Sequence, residues 1–429
     1  LVANSNSQAN EGFPRRLSET GLFTSTSNYQ LAPGVHGFTI TAPMWSDHGS
    51  ATHAVALPET SMATIQGRLL ESPKDAVFVR TVSMEMRVGS PETSRRLETQ
   101  LLHFDGIEWH GYSYRWNDAQ TDADLVPKEG ASMDLEIEDP KAPEGVRKQR
   151  WPFLSRAACV RCHSVEFQKR HGNLQAFTLP QLGSFEELDR LTELGLIERP
   201  ARLIRKTKLV NPQDVSATLT ERARSYLHAN CAHCHKPGST GSVTMYWPVD
   251  FSAERTGAIG VEPVRGDFGI SGARLVSPGR GAHSTILYRM LTTGTGRMPA
   301  IGSQEVDEAG ALLVREWIDS LSDVPAVESW MTNDTAQLME ADLQAIAMEP
   351  ARREAEARKA MTATSSWARD LFQRFLPARQ RRQLLSAGFK PESVLNLKGD
   401  KDRGRTLFFG SGGSQCSTCH RVEGQGRDF

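Results

Sequence analysis

Between about residues 36 and 150, apolar positions come in short runs that alternate with polar ones: "HGFTITA", "DAVFVRTVSMEMRV", "RRLETQLLHFDGIEWHGYSYRW" and "SMDLEIED". Period-two alternation rich in β-branched and aromatic residues predicts half-buried strands. "HFDGIEW" predicts a hairpin with Asp105-Gly106 at its bend. The polar, Ser/Asn-rich residues 1–30 read as a linker, which makes 31–150 a β-rich domain closed by the Pro- and charge-rich "DPKAPEGVRKQRWPF".

Past residue 150 the period lengthens. "SFEELDRLTELGLIERPARLI" predicts a helix capped by Ser184 and ended by Gly195 and Pro200. "SATLTERARSYLHANCAHCH" predicts another, with Leu219, Ala223 and Leu227 on one face. In "SQEVDEAGALLVREWIDSL" the apolar stripe is Val306, Ala309, Leu312, Leu313 and Trp317. Residues 324–398, with "EPARREAEARKAM" and "RDLFQRFLPARQRRQLLSAGF", read as a helical spacer with a solvated face. The fold class expected is therefore α+β and multidomain: the β-rich domain, a segment 151–215, a small helical domain 216–323, the spacer, and a further unit begun at 399–429.

Cysteine placement adds the chemistry. All six cysteines fall in three Cys-x-x-Cys-His motifs: Cys159, Cys162 and His163; Cys231, Cys234 and His235; Cys416, Cys419 and His420. Covalent haem c attachment needs this arrangement, two thiols for the two vinyl groups of one porphyrin and an imidazole beneath its iron. A zinc site would need ligands from two motifs and leave the third over. A thioredoxin-like dithiol would need a βαβ context and gives no reason for three histidines. The expectation is three haem c groups held by the six cysteines, with His163, His235 and His420 on their irons.

The length, 429 residues, allows roughly two to four domains. With 50 Lys+Arg against 51 Asp+Glu the net charge is −1, which argues against nucleic acid as a partner. No apolar run approaches the roughly 20 residues of a membrane span. Haem is attached to such motifs outside the cytoplasm, so the expected location is periplasmic or otherwise extracytoplasmic. The sequence opens without a signal peptide and closes just past the third motif, as if both ends were cut from something longer.

Two family resemblances fit these residues. About 17–322 resembles a bacterial di-haem c-type cytochrome family with a β-rich N-terminal domain, through "LSETGLF", "APMWSDHG", "WHGYSYRWNDAQTDADLV", "WPFLSRAACVRCH", "RARSYLHANCAHCHKPG" and "GRMPAIGSQEVDEAGALLVREWI". That family usually continues "WSDG", where this chain has His48 after Asp47. The tail "ESVLNLKGDKDRGRTLFFGSGGSQCSTCHRVEGQG" is similar to the start of the PVC-type CxxCH haem-binding domain, found fused to quinoprotein glucose/sorbosone dehydrogenase-like proteins. The resemblance implies partners that are redox proteins or a fused dehydrogenase domain.

Each iron has a second axial position. For the second haem the expected ligand is Met298 in "GRMPAIG", a thioether on a Gly/Pro-bounded loop, whereas Met290 reads as core. For the first haem the choice stays open among His48, His53, His110 and Met44, with His171 read as a solvated loop residue. His228 and His233 flank the second motif and read as surface residues. The function expected is a multi-haem c-type cytochrome that relays electrons as the acceptor section of a larger periplasmic oxidoreductase. Its alternatives are a di-haem peroxidase or oxidase with an open-coordinate haem and, remotely, a zinc-stabilised binding module. No nucleophile elbow, phosphate loop or His-Glu-x-x-His motif supports other chemistry.

Overall fold

The computed structural model describes residues 13–66, 69–163, 174–183, 185–198, 209–237, 243–321, 335–363, 366–381, 395, 397–409 and 421–426. Contacts divide the chain into two units, Leu1–Arg381 and Arg382–Phe429. Strands and helices coexist as expected of an α+β chain.

The first unit is organised by its sheets. Its strands are β1 (Phe23–Ser25), β2 (Gln30–Leu31), β3 (Val35–Phe38), β4 (Ser50–Ala56), β5 (Thr64–Gln66), β6 (Leu69–Glu71), β7 (Val77–Glu85), β8 (Ser94–Phe104), β9 (Trp109–Trp116), β10 (Ala123–Leu125), β11 (Ala131–Glu138) and β12 (Val146–Phe153). Six of them form one antiparallel sheet in the order β10-β9-β8-β7-β4-β3. The β8–β9 bend lies at residues 105–108, where the Asp105 Oδ1 accepts from the backbone N–H of Ile107 and Glu108, both at 2.7 Å, and Gly106 takes φ 97°. Positive φ is why glycine stands there.

Register decides which side chains share a face. Phe38, His53, Arg80, Gln100 and Ser113 are directly opposite one another across β3, β4, β7, β8 and β9. Opposed residues project to one side of a sheet, so these five form a row, with Val55, Phe78, Leu102 and Gly111 two positions along. The other face carries Ala54, Val79, Leu101 and Tyr114, and Leu17, Leu22 and Phe23 cover it. Phe13 stacks on Tyr112 with ring centroids 3.5 Å apart, and the Tyr114 hydroxyl donates to the Pro14 carbonyl. Residues 13–30 are thus a built part of the domain, not a linker; apolar side chains at Leu17, Leu22 and Phe23 give them a face to bury.

The helices are α1 (Arg156–His163), α2 (Phe185–Glu193), α3 (Leu219–Cys231), α4 (Thr285–Leu291), α5 (Glu308–Ser320), α6 (Thr335–Ile346), α7 (Pro350–Met361) and α8 (Ser366–Phe372). Thr218 starts α3 with a capping box, its hydroxyl accepting from the Glu221 N–H while the Glu221 carboxylate accepts from the Thr218 N–H. Ala223 and Leu227 of α3 share a core with Leu313 and Trp317 of α5. The apolar stripe of α5 is rotated from the expected one. Ala309 and Leu312 are exposed, and Gly310, Ala311, Val314 and Ile318 turn inward. The Tyr226 ring causes this: it packs on Gly310 so closely that a Cβ there would lie 2.3 Å from it.

Helices α6 to α8 are not a solvated spacer. Met339, Leu343, Ala357, Leu371 and Phe372 join the core that holds α3 and α5, and Arg374 binds the buried Asp342 carboxylate. Burial of such side chains contributes about 1.5–3 kcal/mol each, which a free-standing linker would forgo. In the second unit the described residues form a helix, Lys401–Phe409, and a short hairpin pairing Arg421–Val422 with Gln425–Gly426.

Candidate cofactor site

The first motif is on α1, which begins where β12 ends. The Ser155 side chain accepts from the Ala158 N–H, capping the helix. One face of α1 lies on β9 at Gly111, where a Cβ would come within 2.6 Å of the Cys159 Cβ and 2.9 Å of its Sγ. Glycine is what lets the motif come down onto the sheet. Arg156 reaches the other face of β9, where its guanidinium lies over the Tyr112 ring at 4.8 Å.

The second motif ends α3. The N–H groups of Cys234 and His235 both donate to the Cys231 carbonyl, and Trp247 donates to the His235 carbonyl. His235 Nδ1 is buried without a hydrogen-bond partner. Burial also holds its imidazole below the ordinary histidine range.

These two motifs meet. Cys162 Sγ, Cys234 Sγ and a ring nitrogen of His233 all lie within 4.8 Å of one another. Three of the four thiols are kept protonated: burial pushes Cys159 up to about 11 and Cys231 up to about 12, and the hydrogen bond between Cys162 and Cys234 raises Cys162 as well. A redox dithiol needs a depressed thiol pKa, so this environment is the wrong one for it. An uncharged thioether is at home there.

Beside the junction is a cavity of about 1080 Å³. Its floor is the open face of the six-stranded sheet, with His53, Arg80 and Gln100. Phe38 and Phe78 project from the same face of the sheet, Phe177, Leu174, Cys159, Cys162 and His163 line the cavity beside it, and so do His233, Pro299 and Ile301. The Arg80 guanidinium donates to Gln100 Oε1 at 2.9 Å and to Ser46 Oγ. Burial lowers the Arg80 pKa and raises that of Glu98, whose carboxylate accepts from Ser113 Oγ and Trp151 Nε1. A large apolar-walled space, two thiols and an imidazole on one wall, and a buried cation on the floor suit a macrocycle with apolar faces and carboxylate arms. The first site fits haem c.

The Met298 loop is held by the β-rich domain. The Arg297 guanidinium donates to the carbonyls of Pro299, Ser303 and Glu305 and to Ser303 Oγ, closing the loop on itself. Asp47, almost wholly buried at 2 % exposure, then accepts from Ser303 Oγ at 2.7 Å, Gln304 N–H at 2.8 Å and Glu305 N–H at 3.0 Å. Trp45 Nε1 donates to the Glu305 carbonyl, while its backbone N–H donates to Asn230 Oδ1, one residue before Cys231. Asp47 and His48 both have positive φ, 50° and 72°, which aims the Asp47 carboxylate at the loop. The peptide between Met298 and Pro299 is cis, and the Met298 side chain is 36 % exposed.

The other candidates separate by position. His53 and Met44 line the cavity. Burial and the Arg80 charge hold His53 down to about 3, so its ring is neutral. His48 is exposed and meets Trp45 edge-on. His110 is on the opposite face of β9 from Gly111 and bonds Asp105 at 2.8 Å. Met290 is in the core as expected. His228 and His233 are not surface residues. His228 Nδ1 accepts from the Val249 N–H and burial lowers its pKa to about 4, while His233 reaches the first motif. His171, Cys416, Cys419 and His420 are outside the described residues. Arg80 was missed; its signal in sequence is a lone charge inside the apolar run "AVFVRTVS".

Comparison with known protein families, with curated proteins and with solved structures finds no match for this chain. No helix among the described residues is long and apolar enough to cross a membrane.

Proposed function

We propose that the chain is a multi-haem c-type cytochrome that relays single electrons, working outside the cytoplasm as the acceptor section of a larger oxidoreductase such as a quinoprotein sugar dehydrogenase. The observation that carries this reading is the meeting of two separate Cys-x-x-Cys-His motifs beside one large apolar-walled cavity. Cys159 and Cys162 would hold one haem with His163 on its iron; Cys231 and Cys234 would hold another with His235, and Met298 is the candidate opposite it. Cys416, Cys419 and His420 supply a third motif.

When bound, haem c supplies an iron that accepts and gives up one electron at a time. The chain's part is placement and shielding. With Cys162 and Cys234 in contact, the attachment edges of the first two sites adjoin, which shortens the path between them. Phe38, Phe78, Phe177 and Leu174 give the first site an apolar lining. Asp47 and Arg297 fix the loop that carries Met298.

One observation favours a second reading. Cys162, His233 and Cys234 alone offer three ligands at a spacing that would suit zinc. That reading leaves Cys159, His163, Cys231 and His235 without a role, and gives no reason for the third motif. An absorption spectrum of protein matured with haem-attachment machinery separates them. A Soret band with sharp α and β bands on reduction is expected; zinc at stoichiometry with no Soret band would overturn the proposal. A high-spin fraction in the oxidised spectrum would instead favour the peroxidase or oxidase alternative.

A further inference from the structure

We propose that Arg80 anchors a carboxylate arm of the haem held by Cys159, Cys162 and His163, so that the cavity floor binds the edge of the group remote from its thioethers. The proposal rests on the haem reading above and deepens it. Charge singles Arg80 out. Histidines aside, the charged residues lining the cavity are Asp47, Arg80, Glu98, Glu187 and Arg190. Asp47 is taken by the Met298 loop, and Arg190 pairs with Glu187 at 2.8 Å. Glu98 accepts from Ser113 Oγ at 2.6 Å and Trp151 Nε1 at 3.1 Å, and burial pushes it toward its neutral form. Among the described residues Arg80 is hydrogen-bonded only to neutral groups, Gln100 Oε1 at 2.9 Å and Ser46 Oγ, and Glu98 acts on it from beyond ion-pair range. A desolvated guanidinium with no carboxylate against it is costly, and a ligand that brings one offsets the cost.

The span suits that arm. Haem c is attached along one edge and carries its two propionates on the opposite one. A propionate partner must therefore stand a full macrocycle's width from the cysteines, not half of it. Cys159 rests on Gly111 of β9, which is opposite Leu102 of β8 and, through it, Phe78 of β7. Arg80 is two residues along β7 from Phe78 and so projects from the same face. Two strand spacings of about 4.8 Å and two residues of about 3.4 Å place it roughly 12 Å from Gly111. Leu102 and Phe78 lie on the way and give the floor the apolar surface that a macrocycle's face requires. Gln100 and Ser46 take two of the five N–H groups of Arg80 and fix its plane, which leaves the others for a carboxylate.

The test uses the full haem-loaded chain, read by resonance Raman spectroscopy in the propionate-bending region, by spectroelectrochemistry and by haem content from mass. Arg80→Gln is expected to keep the haem count, move the propionate-bending band of one haem to lower frequency and lower that haem's potential, because the carboxylate loses a charged donor. Arg80→Lys should keep most of the potential, since the charge remains. Arg190→Gln, at the same cavity, should change neither reading. A propionate band unmoved in Arg80→Gln would overturn the assignment even if the potential fell, since a nearby charge shifts a potential without contact. A band shift in Arg190→Gln and not in Arg80→Gln would overturn it too. Loss of the first haem from Arg80→Gln with retention in Arg80→Lys would support an anchoring charge; loss from both would count against the assignment, since the thioethers need neither. Absence of covalent haem from the unsubstituted chain is a different result and would sink the haem reading itself.

Discussion

A methyl group at Gly111 has no room: the Cys159 Cβ stands 2.6 Å from where it would be, and neither the strand nor the helix offers a flexible end to yield. Gly111→Ala should push α1 off the sheet, cost about 1–3 kcal/mol as overpacking does, and lower haem attachment at the first motif while sparing the second. Thermal unfolding together with peptide mapping of haem-bearing fragments checks both halves. Met298 makes the complementary case. Its Ala variant should keep every covalent haem, lose the weak red-end Met-to-iron absorption of the oxidised protein, and lower the potential of the second haem. Spectroelectrochemistry reads this, and an unchanged potential would move the ligand elsewhere.

Between elements, the strongest tie is the turn at Asp47, which joins the β-rich domain to the loop ahead of α5. Asp47→Ala strands two backbone N–H groups and a hydroxyl in a dry site and should cost about 2–4 kcal/mol, with Asp47→Asn losing less because one oxygen survives. Denaturant unfolding measures the difference. The contact between α3 and the loop at 247–249 gives a pH test. His228 accepts from the Val249 N–H only when neutral, and its pKa is about 4 when folded against 6.5 when unfolded. The unfolded chain therefore takes up the proton first as pH falls. Stability is fully present above about 6.5 and is lost between 6.5 and 4, by about 3 kcal/mol for the whole shift. His228→Gln should flatten that stretch of the stability curve relative to the unsubstituted protein.

For the molecule as a whole, what could be read in advance was whatever depends on local pattern. The hairpin at Asp105-Gly106, the strands from Val77 to Trp116 and the helix ending at Cys231 follow from alternation, turn residues and a capping box. What could not be read is long-range pairing. Nothing near Leu17 announces that it covers the back of a sheet, and nothing near Asp47 announces that its partners are more than 250 residues away. The motif cysteines were legible one motif at a time; their meeting at Cys162 and Cys234 needed the fold. His233 was misjudged for the same reason, since sequence proximity to its own motif hid its reach to the other. The claim beneath all of this is that six cysteines carry three haems. Intact-mass measurement of the matured chain tests it most directly. The account predicts three haem additions and no titratable thiol; a chain of unmodified mass with six reactive thiols, or with zinc bound in their place, would contradict it.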